Sequence, residues 1–252
     1  MLMGNKIVAL VTGCNGGIGK SLCQEFGAAG YLVIGTDRQA VSEADCDLYL
    51  CCDLIELASD GVTRKRFQED VGEFVANQSA LLKAVINNAA YQVVMPLSKL
   101  SAVEFNSSQQ INVIAPYVLA QLFDTLLRKS SGSIVNIGSI HVRLTKPGFC
   151  AYSTSKAALS GLTRALALEF SSEVTVNTIL PAATKTDMLV AGFSEHPDKF
   201  AELESCHPAG RIANPGEIAK LALFLCSDAA RFITGAEVPI DGGIGVRLHD
   251  PL

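Results

Sequence analysis

Tyr152 and Lys156 stand four residues apart in AYSTSKAAL, thirteen residues after Ser139. On a helix, residues i and i+4 project from one face, so a phenol and an ammonium would lie side by side. A free tyrosine titrates near about 10, and acid–base work at neutral pH needs its phenolate stabilised, which a lysine one turn on would do. Ser139, at the end of an apolar run, reads as a hydroxyl that donates to the same carbonyl oxygen as Tyr152. The chemistry of such a set is proton transfer opposite hydride delivery. This Tyr and Lys spacing is also common on plain helix surfaces, so the assignment leans on the rest of the chain.

The segment TGCNGGIG follows the first apolar run. Its glycines, Gly13, Gly16, Gly17 and Gly19, would let backbone amides and a helix amino terminus face a pyrophosphate with no side chains in the way. The spacing is TGxxxGxG rather than GxGxxG, and a purely structural turn is the competing reading. Asp37 lies 18 residues beyond Gly19, where a carboxylate accepts from the adenosine ribose hydroxyls and repels a 2′-phosphate. A loop cap is its alternative. Asp53, in CCDL, either meets the adenine edge or caps a turn. Asn88, in NNAA, either approaches a coenzyme or ties neighbouring strands. Asn112, in QQINVIAP, sits in an expected helix that asparagine favours poorly, which points to an inward, water-binding role.

Short apolar runs alternate with amphipathic stretches from Lys6 to about Ile240, which predicts an α/β fold: one domain over residues 1–252, a doubly wound parallel sheet with helices on both faces. Strands are expected at Ile7 to Val11, Leu32 to Thr36, Leu48 to Cys51, Leu82 to Ile86, Ser133 to Ile137, Val174 to Ile179 and Glu237 to Ile240. Helices are expected to start near Gly17, Val62, Ser98, Gln109, Ala151 and Pro215, the last behind an Asn214 cap. Residues 185–210 have weak periodicity and read as a lid over a substrate. The tail after Gly245 reads as a subunit contact or a frayed end.

Apolar residues make up 49% of the 252, charged residues 18%, and the net charge is -5. That balance describes a globular chain and argues against a nucleic-acid partner held by counterion release. Arg64, Lys65 and Arg66 form a short cluster that reads as a solvated helix face. The amino terminus MLMGNK precedes an apolar run too short for a signal peptide or a membrane span, so a cytoplasmic protein with no membrane partner is expected. The eight cysteines have no metal-ligand or CxxC spacing and read as small apolar residues, with no disulfide and no metal. Cys150, two residues before Tyr152, reads as an inert buried thiol.

The joint pattern resembles the short-chain dehydrogenase/reductase family from about Lys6 to Gly243. TGCNGGIG matches the family turn TGxxxGxG, NNAA its NNAG, and LPAATKTDM and PIDGG its later segments. Asn112, Ser139, Tyr152 and Lys156 match its catalytic tetrad. The resemblance implies a seven-stranded Rossmann-type sheet, NAD as coenzyme, a small-molecule substrate and a homo-oligomer, tetramer or dimer. The coenzyme set it implies is Gly13, Asn15, Gly17, Ile18, Gly19, Asp37, Asp53, Leu54, Asn88, Ala89, Tyr152, Lys156, Pro181, Thr184 and Thr186. Two departures stand out: Ala90 replaces the glycine of NNAG, and Ala182 replaces the glycine after Pro181. Alanine is tolerable there only if φ is negative.

The expected reaction exchanges a hydride between NAD and a secondary alcohol or its ketone. A local resemblance to 3-hydroxybutyrate dehydrogenases points to a small hydroxy acid, with Gln92 and His141 on its carboxylate and Ser139 and Tyr152 on its oxygen. Phe149 stands where those enzymes carry a lysine. Sugar or polyol substrates, and a catalytically silent NAD-binding sensor or scaffold, remain open alternatives.

Overall fold

The computed structural model describes residues 6–248. Residues 1–5 and 249–252 lie outside that description, and with them most of the MLMGNK segment and the end of the tail. Seven strands form one sheet: β1 (Lys6–Thr12), β2 (Tyr31–Asp37), β3 (Leu48–Cys51), β4 (Ala80–Asn87), β5 (Ser133–Ile137), β6 (Thr175–Pro181) and β7 (Glu237–Ile240). Their order is β3-β2-β1-β4-β5-β6-β7, and every pairing is parallel. From β1 the chain winds outward to β3 and then returns to the other side of β1. The crevice left between the carboxyl ends of β1 and β4 is where such sheets take ligands.

A strand buried on both faces needs apolar residues on both, and KIVALVT supplies them. Val8 and Leu10 of β1 enter one hydrophobic layer and Ala9 and Val11 the other. The first layer is closed by α2 (Leu54–Ser59), α3 (Gly61–Asn77), α5 (Ala115–Leu122), α6 (Asp124–Ser130) and the end of α7 (Cys150–Phe170), through residues such as Leu57, Val71, Leu119, Leu127 and Phe170. The second is closed by α1 (Gly17–Ala28) and α10 (Pro215–Leu225), which bury Leu22, Phe26, Ile218 and Leu225. The doubly wound architecture inferred from the apolar alternation is therefore the one observed.

The strands at Leu48, Ser133 and Glu237 have the expected bounds, and the others differ by one or two residues at an end. The helix expected from Ser98 starts later, as α4 (Ala102–Gln109). Ser101 caps it, bonding Glu104 N at 3.2 Å while Glu104 reaches back to Ser101 N at 3.2 Å. The helix expected near Gln109 is a π-turn over Gln110–Ile114 that joins α4 to α5. The sequence reading contains no α2, α6, α8 (Asp187–Gly192) or α9 (Pro197–Ser205). The last two occupy the 185–210 stretch, and Phe193 meets Phe200 edge-on at 5.7 Å.

Between β2 and β3 the chain crosses in residues 38–47 without a helix. Parallel strands usually need a longer connection. Asp47 closes this crossover, giving its N–H to Val33 O at 2.8 Å and accepting from Val33 N at 2.7 Å.

Two glycines of α1 separate packing from propensity. A Cβ at Gly19 would lie 2.0 Å from Gly13 O, whereas one at Gly27 would meet nothing within 4 Å. Gly19→Ala is expected to cost on the order of 3 kcal/mol or prevent folding, and Gly27→Ala to stabilise by up to about 1 kcal/mol. Urea midpoints of the two variants check this, and a tolerated Gly19→Ala would refute the turn geometry.

Candidate active site

The glycine turn is built by close backbone approach. Gly13 has φ +64, and a Cβ there would lie 2.7 Å from Ala89 Cα. Thr12 Oγ1, at the end of β1, accepts from the N–H groups of Asn88 and Ala89, both at 3.0 Å. The Asn88 amide donates to the carbonyls of Thr12 and Gly13, both at 3.0 Å. Asn88 thus ties β4 to β1, one of the two roles open from sequence. Gly16 caps α1 without a side chain, so the first amides of the helix are free to hold an anion. Ile18 sits behind them, partly buried against the α1 and α10 layer.

Asp37 ends β2 beside the turn. Its carboxylate accepts from Asn15 N at 3.3 Å and Arg38 N at 2.8 Å. Asn15, expected as a coenzyme ligand, is 8% exposed, and its side chain bonds the 38–46 crossover. Asp53 caps α2, accepting from Ile55 N at 2.7 Å, while Leu54 is buried in the core. That is the capping role weighed for Asp53 from the sequence.

Ser139, Tyr152 and Lys156 converge at the end of β5. Ser139 is 7% exposed, and its Oγ accepts from His141 N at 3.2 Å. Burial pushes the Tyr152 phenol above its ordinary pKa, and a hydrogen bond with Ser139 pulls it back in part. Lys156 is 2% exposed, donates to Ile137 O at 2.6 Å, and lies 5.6 Å from the centre of the Tyr152 ring. Burial alone brings its pKa down to about 7. The pair therefore shares a helix face as expected, and burial opposes the charged forms of both groups. Each group is driven toward its neutral form, because both are desolvated and the lysine's nearest polar partner is a carbonyl.

Asn112 is 1% exposed and points inward, as expected from its place in the helix. Its amide is used by protein groups: Oδ1 accepts from Tyr91 N at 2.8 Å, and Nδ2 donates to Ser155 Oγ at 2.8 Å and Tyr91 O at 3.1 Å. The side chain thus stitches the loop after β4 to α7. The surrounding π-turn is a frequent feature of functional sites. Tyr91, Ser108 and Ser155 were not singled out from sequence. Only the four-residue spacing of Ser108 before Asn112 and the place of Ser155 beside Lys156 could have marked them.

On the substrate side, Gln92 is exposed on the loop after β4. His141 stacks on Phe149 at 4.4 Å and meets the Tyr152 ring edge-on at 5.7 Å. Its Nδ1 lies 3.1 Å from Thr145 Oγ1. Burial, then the charge of Lys146, lowers its pKa, so it stands neutral at pH 7. Lys146 sits 5.0 Å from the Phe149 centroid. Cys150 is exposed, correcting the buried thiol expected there, since it opens α7 two residues before Tyr152 and so lies on another face.

Beyond β6, Pro181 is buried at the strand end, Thr184 is 8% exposed, and Thr186 caps α8. A Cβ on Gly17 would lie 2.9 Å from Thr186 Cγ2, so the structure brings this segment onto the turn. Ala90 and Ala182 carry no strain: the non-glycine residues with positive φ, among those described, are Ser79, Ser131 and Ser171. The site fits a dinucleotide through the side-chain-free cradle at Gly13, the uncapped helix and the buried Lys156 donor.

A family model described as Enoyl-(Acyl carrier protein) reductase matches residues 13–245. Protein FixR of Bradyrhizobium diazoefficiens is 36% identical over 260 residues, covering 95% of this chain and 87% of FixR. The ligand-free aldohexose dehydrogenase of Thermoplasma acidophilum superposes with a TM-score of 0.88 at 25% identity, over 98% of this chain and 97% of that one. A 4-hydroxyisoleucine dehydrogenase complexed with NADH superposes at 0.83 with 27% identity, over 97% of this chain and 100% of that one.

Lys156 makes the stability of the coenzyme-free protein depend on pH. Its folded pKa of about 7 lies below the unfolded value near about 10.4, so between them the unfolded chain binds more protons and stability rises with pH. From pH 7 to 8.5 the gain is expected at up to about 1.4 kcal/mol per pH unit, the limit for one proton. Above that window the buried thiols of Cys14, Cys23 and Cys226, with pKa pushed up to about 12, act in the opposite sense. Urea unfolding should show the slope in the wild type and a flatter one in Lys156→Met. Equal slopes would refute the buried, uncompensated amine.

Proposed function

This chain belongs to the short-chain dehydrogenase/reductase family, and from that premise we propose that it moves a hydride between NAD and a small hydroxy or oxo acid. It is an oxidoreductase acting on CH–OH or keto groups through a nicotinamide coenzyme. The convergence of Ser139, Tyr152 and Lys156 is the observation that carries the reading. The turn at Gly13, Gly17 and Gly19 and the amides of α1 would hold the diphosphate, with Ile18 and Ala89 beside them. Asp37 would hold the adenosine ribose, Asp53 and Leu54 would flank the adenine, and Lys156 would hold the nicotinamide ribose. Asn88, Pro181, Thr184 and Thr186 complete the cradle, and the 185–210 segment is its lid.

The coenzyme, when bound, supplies or accepts the hydride. The chain's own residues manage the proton. In the reducing direction the substrate carbonyl lies between Ser139 Oγ and Tyr152 Oη; Ser139 donates a hydrogen bond, and the phenol transfers its proton to the oxygen as the carbonyl carbon is reduced. The raised pKa of Tyr152 keeps that proton in place at neutral pH. In the oxidising direction the phenolate must form first, and any charge on Lys156, 5.6 Å from the ring centroid, makes it cheaper. Asn112 holds the framework of α7 through Ser155.

Gln92 and His141 would donate to the substrate carboxylate, His141 as a neutral ring through Nε2. Lys146 brings positive charge to the same loop. The likeness to a 4-hydroxyisoleucine dehydrogenase holding NADH favours an acid and NAD. The likeness to an aldohexose dehydrogenase favours a second reading, a neutral sugar or polyol. Exposed Tyr117 and Leu168 on α5 and α7 support a homo-oligomer, dimer or tetramer. Among the described residues no helix is long and apolar enough to cross a membrane, and we place the enzyme in the cytoplasm, where its eight free thiols would persist.

Tyr152→Phe is expected to lower kcat by roughly 10²-fold to 10⁴-fold with NADH binding retained, the usual worth of a positioned acid. Near-normal turnover would rule out its role. Two unit charges at 4 Å repel by roughly 4 kcal/mol at an effective dielectric of 20, so Asp37 should reject the 2′-phosphate and Asp37→Ala should narrow the preference for NAD. Comparable kcat/KM for NAD and NADP in the wild type would sink that claim. Hydroxy acids should outperform uncharged alcohols of equal size, and His141→Ala should raise KM for the acid. If neutral sugars are turned over best, the carboxylate site is wrong.

A further inference from the structure

The crossover 38–46 forms the wall beside Asp37 and has little of its own to hold it. It contains no helix, and Arg38, Gln39, Ala40, Val41, Glu43 and Asp45 are exposed. Its anchors are few. Ala44 and Cys46 pack partly buried against the α1 layer, Lys20 pairs with Glu43 at 2.7 Å on the surface, and Tyr49 Oη donates to Gln39 O. An ion pair this exposed contributes little.

Asp47 pins its end to Val33 and Cys51 Sγ reaches Arg38 O at 3.7 Å, and a further anchor is one side chain from the glycine turn. Asn15 Nδ2 lies 2.9 Å from Gln39 Oε1 and 3.0 Å from Val41 O, and its Oδ1 accepts from Glu43 N at 2.7 Å. The same residue gives its backbone N–H to Asp37 Oδ2 at 3.3 Å. At 8% exposure, with its amide engaged on both sides, Asn15 offers a ligand almost nothing. It joins the diphosphate turn, the ribose carboxylate and the crossover in one unit.

We propose that Asn15 is a latch, a positioning residue that fixes the helix-free crossover against the glycine turn and thereby sets how strongly Asp37 selects NAD over NADP. This rests on the coenzyme reading above. With the crossover held, Asp37 is fixed between two backbone amides, and Arg38 follows it with a set main-chain direction. Released, Asp37 loses a rigid seat, and the neighbouring guanidinium gains the freedom to meet a 2′-phosphate. Selectivity would fall from both causes.

The test compares the wild type, Asn15→Ala and Tyr49→Phe in two measurements, amide hydrogen exchange over residues 38–46 without coenzyme and calorimetric Kd values for NADH and NADPH. Asn15→Ala is expected to speed exchange across the crossover and to weaken NADH roughly fivefold to tenfold, the net worth of one or two hydrogen bonds, while NADPH weakens less. Tyr49→Phe, which removes the hydroxyl contacts with Gln39 O, Asp37 O and Asn15 Nδ2 but keeps the Asn15 side chain, should move both readouts the same way by a smaller factor, and it carries the test if Asn15→Ala does not fold. Unchanged exchange in both variants overturns the latch. An equal loss for NADH and NADPH also overturns it, since that is what a merely structural residue would give. A wild type that binds NADPH as tightly as NADH overturns the coenzyme reading, whereas faster exchange in Asn15→Ala would still support the latch.

Discussion

The clasp between Thr12 and Asn88 is the constraint on which the rest depends. A doubly wound sheet must reverse beside β1, and the reversal leaves the ends of β1 and β4 adjacent with nothing between them. Thr12 Oγ1 takes two amides of the strand-four loop, and Asn88 returns two bonds to the turn. Four bonds pull Gly13 onto Ala89, where no side chain could fit. The bare backbone that would face a diphosphate is thus a consequence of how the sheet is tied. Removing Cβ atoms serves the packing and the ligand at once.

A second buried polar system holds the acid–base groups. Asn87 Nδ2 donates to Asn136 Oδ1 at 2.7 Å, Asn136 Nδ2 donates to Thr163 Oγ1 at 2.8 Å, and Thr163 Oγ1 lies 2.6 Å from Thr178 Oγ1. This chain runs from β4 through β5 to α7 and β6, tying α7, which carries Tyr152 and Lys156, to the strand that leads into Ser139. The paired members of such a buried chain restrict its geometry, because breaking a link leaves a further donor or acceptor unsatisfied, as Asn87 Oδ1 already is. Asn112 does the same from the other side through Ser155. The helix bearing Tyr152 is therefore held by hydrogen bonds at both flanks as well as by apolar contact.

The apolar runs were legible because a strand buried on both faces keeps charged residues out of its interior; Ser133–Ile137 is buried throughout. The motif residues were legible because close approach and helical spacing are local rules. Short helices were not. α2 and α8 have six residues each, under two turns, too few for a period to show. The π-turn at Gln110–Ile114 shifts hydrogen bonds without any composition to mark it. The crossover contacts of Asn15 escaped for a different reason: its partners lie 24 to 28 residues away, and only folding brings the crossover back to the turn. The lowered pKa of Lys156 likewise follows from burial, which spacing does not encode.

Burial of Tyr152 and Lys156 fixes what the chain contributes to their protonation before any coenzyme is considered. Desolvation acts in opposite directions on a phenol and an amine, raising one pKa and lowering the other, so burial by itself drives both toward neutrality. A neutral pair is a proton donor beside a hydrogen-bond donor, which suits delivery of a proton to a carbonyl. Making the phenolate requires charge on the lysine, and charge there requires acceptors beyond the single carbonyl of Ile137. Ribose hydroxyls are acceptors of that kind. On the coenzyme reading proposed above, a ribose bound beside Lys156 would favour its charged form and so lower the cost of the Tyr152 phenolate.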